Sequence, residues 1–490
     1  MEFNRYMDIQ YSDHITPTEF IEALDSPSFT DFLKEVQKSK KPILTVTLPI
    51  APIDPLAALE INHEFEQQFY WDHPENDISI SAAGCIRELK STGKDRFSDI
   101  SDQTRLMKQE IEAYTAIKHS MAGPLFLGGY SFSDHNVGAV WKKFGGARFV
   151  LPEWMIIRNG KFHLLTLSIN KESYTSDEIY QEIISRITDF LNLSGKLQDR
   201  GMRETTKTSI LCTLQSPEDK GRWIKKVDQA RKMIANHKFE KIVLARSVEV
   251  ESRHKPVFTL LTHQLRQKYP ECFNFMIQKD SETAFIGATP ERLASFRNQI
   301  FMTEGLAGST SRGRSAIEDE LLANDLLMSS KDREEHQFVV KAIQENLEPL
   351  SEKIDHPTNP QIKKLKNVQH LFTPISASIK KGVQIHDLIR ELHPTPAVGG
   401  FPREDAVSHI HEIEQLDRGW YAAPIGWFNL NGCGEFAVAI RSALLHENRA
   451  TLYAGCGIVS DSDPEKEWKE TLLKFKPMMD SLTGAHHHYE

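Results

Sequence analysis

The chain has 490 residues, enough for two or three average domains or one large composite one, and its 40% hydrophobic and 26% charged content is that of an ordinary globular protein. Lys and Arg number 59 against 68 Asp and Glu, a net charge of −9, which argues against nucleic acid or an anionic membrane as main partner. No apolar run approaches a membrane span, the opening "MEFNRYMDIQYSDH" lacks a signal peptide's basic and apolar regions, and five scattered cysteines (Cys85, Cys212, Cys272, Cys433, Cys456) form no CxxC or zinc spacing. A cytoplasmic chain with reduced thiols is expected.

The N-terminal part mixes helical and strand patterns. "GPLFLGGYSFSD" and "WKKFGGARFVLPEWMIIRNGKFHLLTLSI" read as strands joined by glycine turns. A polar, weakly periodic stretch at 193–209 is the expected linker. Ser216 and Pro217 then supply a helix N-cap and first position, and that helix leads into "FEKIVLARSVEVE". The latter is apolar and β-branched, then alternating, as a strand entering a buried sheet would be. "AFIGATPERLASF" reads as strand, turn, strand; residues 316–350 as one long helix or two; "GVQIHDLIRELH" as a helix ending in the rigid "PTPAVGGFP" loop. "GEFAVAIRSALL" and "TLYAGCGIVS" are two strands, and a last helix begins at "SDPEKEWKETLLKFK". Neither GxGxxG nor GxxxxGKS occurs, so nucleotide binding has no support. The pattern predicts an α+β protein with large antiparallel sheets.

Chemistry-bearing residues are spread over these elements. Lys241 opens the "KIVLAR" strand: a lysine there is either a solvated strand end or, partly desolvated, a general base. Glu291 follows a proline in a turn, where a solvated acid is the plainer reading. On the last helix Glu467, Glu470 and Lys474 share a face, and in "SSKDREEHQFVV" Glu335 stands one turn before an apolar run, four residues after Lys331. Two such carboxylates from different helices would suit Mg²⁺, a hard cation that takes oxygen ligands and keeps waters. In "GEFAVAIRSALL" alternation puts Phe436, Val438 and Ile440 on one face and Glu435, Ala437, Ala439, Arg441 and Ala443 on the other, leaving room for a ligand carboxylate at Arg441. Tyr453 shares a face with Gly455 and Gly457. "EGLAGSTSRG", with Ala307, Gly308 and Ser309, has the content of an anion-binding loop, and His393 starts the proline-restricted "HPTPAVGG". His486, His487 and His488 read as a frayed tail.

Together "KIVLAR", "TPERL", "LAGST", "KDREEH", "HPTPAVGGFP", "AIRSA", "AGCGIVSDSDPEKEW" and "ETLLK" resemble the chorismate-binding enzymes, over about residues 215 to 480 and in that family's order. The N-terminal "GGYSF…W…FGGARFVLPEW" is similar, more loosely, to the longer isochorismate synthases of menaquinone pathways. The resemblance implies a composite α+β fold of layered antiparallel sheets flanked by helices, with the active site in a central cleft, as in anthranilate synthase component I. Residues 1–205 are expected to be integrated into that fold, 210–482 to form the catalytic region and 483–490 to fray.

The resemblance also implies roles. Aminodeoxychorismate synthases carry a nucleophilic lysine where Ala307 stands here, and anthranilate synthases, which use ammonia, lack the lysine that opens "KIVLAR". Lys241 is thereby expected to activate water for attack at ring carbon 2 of chorismate, and Glu291 to protonate the hydroxyl leaving carbon 4. Mg²⁺ is expected on Glu335 and Glu470, with Glu467 binding through water or as a third ligand. Carboxylate groups are expected on Arg441, the "LAGS" backbone and Lys474, and His393, Tyr453, Gly455 and Gly457 are further expected substrate contacts. A salicylate synthase, which adds pyruvate elimination, a siderophore-pathway isochorismate synthase and an inactive chorismate-binding module stay open as alternatives. No glutamine amidotransferase subunit is expected, and the chain is expected to be a monomer or homodimer.

Overall fold

Two large sheets carry the chain, one of 13 strands and one of 10 among the described residues of this computed structural model. Those residues are 39–61, 65–135, 137–191, 210–213, 217–366 and 368–483, with 27, 29, 31, 32 and 34 before them. The expected linker at 193–209, the Ser216 cap and the terminal histidines lie outside the described residues. The last helix, Pro464–Thr483, takes in the first residue assigned to the tail.

Among the described residues every strand pairing is antiparallel except that of Ile43–Pro49 with Ile111–Thr115. Strands from the first 205 residues pair directly with later ones: Gln68–His73 lies beside Phe273–Asp280 in the larger sheet, and Leu125–Tyr130 beside Pro424–Asn429 in the smaller. Each sheet therefore runs through both parts of the chain.

Strand alternation fills two cores. Phe275, Ile277 and Phe285 point between the sheets, into a cluster shared with Phe436, Trp427 and Tyr130. Their neighbours Met276, Ala284 and Ile286 point the other way, under the helices Phe258–Lys268 and Pro464–Thr483. No helix of the described residues is long and apolar enough to cross a membrane. Cys85, Cys272, Cys433 and Cys456 are free thiols.

The expected strand, turn and strand form in "AFIGATPERLASF", but Thr283–Thr289 belongs to the larger sheet and Arg292–Arg297 to the smaller, so Pro290 and Glu291 form a corner between sheets. "GEFAVAIRSALL" is likewise broken, into Gly434–Val438 in the smaller sheet and Ser442–His446 in the larger. Arg441 in this second corner has φ +50°, a left-handed conformation that ends the alternation. The expected small-residue face does not form, because Glu435 turns instead to Arg292 (3.3 Å) and Arg297 (3.5 Å). The corners hold each other: Val438 N donates to Glu291 O (3.0 Å) and Ala288 N to Arg441 O (3.1 Å).

Helical readings fare better. Residues 316–350 contain two helices, Ala316–Met328 and Ser330–Leu347, whose N-cap hydroxyls Ser315 and Ser329 accept from Glu318 N and Asp332 N. Asp463 caps the last helix by accepting from Glu465 N (2.8 Å) and Lys466 N (3.2 Å).

Candidate active site

The two corners open onto a cavity of about 130 Å³ between the sheets. Its floor is a pair of antiparallel strands, Lys241–Ser252 and Arg449–Ile458, in register from Ile242 opposite Ile458. Lys241, Val243 and Ala245 face in from the first, and Tyr453, Gly455 and Gly457 from the second, as a period of two requires. Glycine is needed at 457 for a specific reason: a Cβ there would stand 2.8 Å from Lys241 Cε, so the missing side chain is the space the lysine crosses. At 455 a Cβ would meet Leu244 O at 2.8 Å and the Tyr421 hydroxyl at 3.3 Å. Tyr421 and Tyr453 stack at 5.1 Å and 19°, and burial pushes both phenols up in pKa.

Glu291 enters from the first corner and is 6% exposed. Burial, and next the charge of Glu304, push its carboxyl up to about 7, against a hydrogen bond from the Thr395 hydroxyl (3.4 Å) that favours the charged form. A buried acid of this kind carries its proton about half the time at neutral pH, where an ordinary carboxyl has lost it, and can donate it. Arg441 lines the cavity from the second corner, beside Ile440, which alternation had placed in the core.

The wall opposite the floor includes Ala307, Gly308 and Ser309. "EGLAGSTSRG" is largely a strand, Ile300–Ser311, not the expected loop. Its pairing with Val368–Ile379 slips between Ala307 and Ser309, making Gly308, at φ +73°, a bulge that re-aims the chain at the cavity. Ser309 Oγ lies 2.8 Å from His370 Nδ1. His370, which carries no motif in the sequence, lines the cavity, its Nε2 has no hydrogen-bond partner among the described residues, and burial, then Arg441, lower its pKa to about 3. A neutral imidazole thus faces the site.

The helices bring the remaining charges. Glu335 Oε1 is 2.6 Å from Lys241 Nζ; burial works against the carboxylate, but Lys241 outweighs it and the pKa is lowered. Lys331, four residues before it, pairs with Asp461 instead (2.9 Å). Glu470 Oε1 is 2.7 Å from Lys474 Nζ, which also donates to Gly455 O (2.9 Å). Burial disfavours the Lys474 ammonium, but Glu470 prevails and its pKa is raised.

Two expected site residues are not brought to the cavity. His393 Nε2 lies 3.0 Å from Phe132 O, its ring packs on Phe97 and Phe132, and burial, then Arg96, lower its pKa to about 3. It ties the proline loop to the N-terminal part, while Thr395 of the same loop reaches Glu291. Glu467 sits half-buried on the helix face toward Cys456 and Ser462, its carboxyl pushed up by burial and by Glu470.

Whether these residues suit a metal can be judged from their chemistry. Glu335 and Glu470 line the cavity and offer only oxygen donors, the ligand type a hard cation takes, and at present each is paired with an ammonium that such a cation would have to displace or share. Among the described residues no group of three or more His, Cys, Asp and Glu forms a metal-holding cluster. Two carboxylates with free positions for water and substrate fit a hard divalent ion such as Mg²⁺, not a closed structural site.

The family model described as "Chorismate binding enzyme" matches residues 31–483. The salicylate biosynthesis isochorismate synthase of Pseudomonas aeruginosa is 34% identical over 461 residues, covering 93% of this chain and 94% of that protein. The isochorismate synthase MenF of Bacillus subtilis is 32% identical over 457 residues, covering 90% and 94%. Among solved structures, the menaquinone-specific isochorismate synthase MenF of Escherichia coli superposes with a TM-score of 0.74 at 26% identity, over 93% of this chain and 100% of that one. Anthranilate synthase component I of Streptococcus pneumoniae, at 22% identity and a TM-score of 0.64, shares the fold.

Proposed function

The chain belongs to the chorismate-binding enzymes, and from that premise we propose that it is an isochorismate synthase, an isomerase that adds water at ring carbon 2 of chorismate and expels the hydroxyl of ring carbon 4. The observation that carries this reading is that Lys241 and Glu291, on separate corners and strands, line one cavity with Arg441 between the sheets. An amine base and a protonated acid in one site are what the exchange of two hydroxyls needs.

In this mechanism neutral Lys241 takes a proton from water as the oxygen bonds to carbon 2. The ring double bonds shift, the bond from carbon 4 to oxygen breaks, and Glu291 protonates the leaving hydroxide to water. Both residues return to their starting states by exchange with solvent. Arg441 pairs with a substrate carboxylate, with Lys474 and the "LAGS" backbone as further donors. Tyr453, Gly455 and Gly457 shape the floor on which the ring lies. Mg²⁺ on Glu335 and Glu470, with Glu467 behind them through water or as a third ligand, would supply Lewis acidity at the ring carboxylate and draw charge into the ring. A cation held by Glu335 would relax that residue's hold on Lys241 and so favour the neutral amine.

The product is proposed to feed menaquinone synthesis in the cytoplasm, and the chain to work as a monomer or homodimer without a glutamine amidotransferase. Likeness to the two MenF proteins supports the menaquinone route. A supply to salicylate is the second reading, favoured by the Pseudomonas relative. The test is direct: incubate the pure protein with chorismate and Mg²⁺ and identify the products. Isochorismate supports the reading, salicylate with pyruvate converts it to a salicylate synthase, and an unchanged substrate refutes it.

A further inference from the structure

The chain around Glu291 is gripped from both sides by one charged network outside the cavity. Lys363 Nζ donates to Pro290 O (3.1 Å), the carbonyl just before the acid, and to Glu304 Oε2 (2.6 Å). Arg292, just after the acid, donates from Nη1 to the other oxygen of Glu304 (3.1 Å). The Glu304 side chain is only 9% exposed, so its charge is poorly screened. It stands on strand Ile300–Ser311, a few residues before the "LAGS" bulge, and Lys363 on the short strand Gln361–Lys364.

We propose that Glu304 and Lys363 are positioning residues for Glu291, a buried anion and its counter-cation that set at which pH the acid carries its proton. The proposal rests on the reading of Glu291 as the acid. The two charges of the pair act on the acid in opposite directions. Glu304 puts a negative charge near a carboxyl that is already desolvated, which favours the protonated form; Lys363 does the reverse. The other groups facing Glu291 are Lys474 from the last helix, which also favours the anion, the Thr395 hydroxyl, and the Tyr421 phenol. Arg441 and His370 share its cavity. Behind the network, His73 and Cys272 feel Lys363, but burial holds both neutral, with the histidine pKa lowered to about 4 and the thiol raised to about 12. Lys363 thus holds the carbonyl just before the acid, Glu304 holds Lys363 and Arg292 on either side of it, and neither residue lines the cavity.

The test titrates Glu291 itself. Infrared difference spectra of the full chain are recorded against pH, and the protonated-carboxyl band lost in Glu291→Gln is followed. In Glu304→Gln its midpoint should fall by about one pH unit, because Lys363 and Arg292 lose their partner; in Lys363→Met it should rise by a similar amount. Lys363→Arg should leave it in place. The limb of the pH–rate profile that titrates near pH 7 should move with the band. A purely structural role cannot produce shifts of opposite sign. Midpoints unmoved in both charge-changing variants would overturn the proposal, and Lys363→Met alone decides it should Glu304→Gln not fold. Wild-type turnover in Glu291→Gln would instead overturn the acid assignment, a separate result.

Discussion

Lys241 and Glu335 form an ion pair, Nζ to Oε1 2.6 Å, in which the expected base is held by an expected metal ligand. The two assignments are therefore coupled. A carboxylate at this distance stabilises the ammonium, whereas a base must be neutral. A cation held by Glu335 would weaken that hold on the amine, so in the proposed mechanism the base and the metal site are expected to depend on each other.

Metal removal is the first consequence. Turnover should be lost in EDTA and restored by Mg²⁺, and Glu335→Gln or Glu470→Gln should each raise the Mg²⁺ concentration needed for half-maximal rate by about tenfold or more while leaving the fold intact. Circular dichroism checks the fold and a Mg²⁺ titration of the rate checks the requirement. Full activity in EDTA would dismiss the metal assignment.

Lys241→Ala should cost roughly two to four decades of kcat, the reach of acid–base catalysis. Chorismate should still bind, since Arg441 and Lys474 remain in the cavity. Measuring kcat beside a direct binding constant separates the two. Turnover near that of the parent would return the lysine to a charged strand end.

Gly457→Ala probes the same amine by geometry. The new methyl would stand 2.8 Å from Lys241 Cε and 3.4 Å from Nζ, and the flexible lysine would have to yield. The strand should form as before, with an unfolding midpoint within a few degrees of the parent, while kcat falls by at least about tenfold. Equal loss in a background already lacking the Lys241 amine would show that the methyl acts on something else.

What sequence made legible follows from what is local. Tyr453, Gly455 and Gly457 share a face because strand period is a local property, and Asp463 before Pro464 marks the last helix through one side chain. The corners at Glu291 and Arg441 were read as a turn and a strand because what makes them corners is long-range: Val438 N bonding Glu291 O, and the positive φ of Arg441. His393 was misplaced for the same reason, since its partner Phe132 O is 261 residues away. His370 carries no spacing signal in "VQHLFTPISAS"; only its pairing opposite Ser309 brings it to the cavity. The motif resemblance, not periodicity, put Lys241, Glu291 and Arg441 together.

Two buried carboxyls make stability depend on pH in a direction opposite to that of ordinary paired acids. Burial, followed by Glu304, raises Glu291 from 4.5 to about 7, and burial also raises Asp72 from 3.8 to about 6, over the pull of Arg266 and Arg158. Each folded pKa lies above its unfolded value, so the native state binds the extra proton. The stability that these two groups contribute is therefore fully present below about pH 4, is lost as pH climbs through each window, and stays level above about pH 7. Replacing either group by its amide removes the charge that burial penalises. Asp72→Asn and Glu291→Gln should each stabilise the chain at pH 8 by up to about 3 kcal/mol, and by much less at pH 4.5. Arg158 would not be stranded by the first change, because it keeps Asp77 at 3.2 Å. Urea unfolding of the parent and both variants at the two pH values measures this. The Glu291 variant should gain stability while losing turnover, the signature of an acid kept in place at a cost to the fold. Lower stability than the parent at pH 8 in both variants would show that the carboxylates are net favourable, and that neither is held protonated by its surroundings.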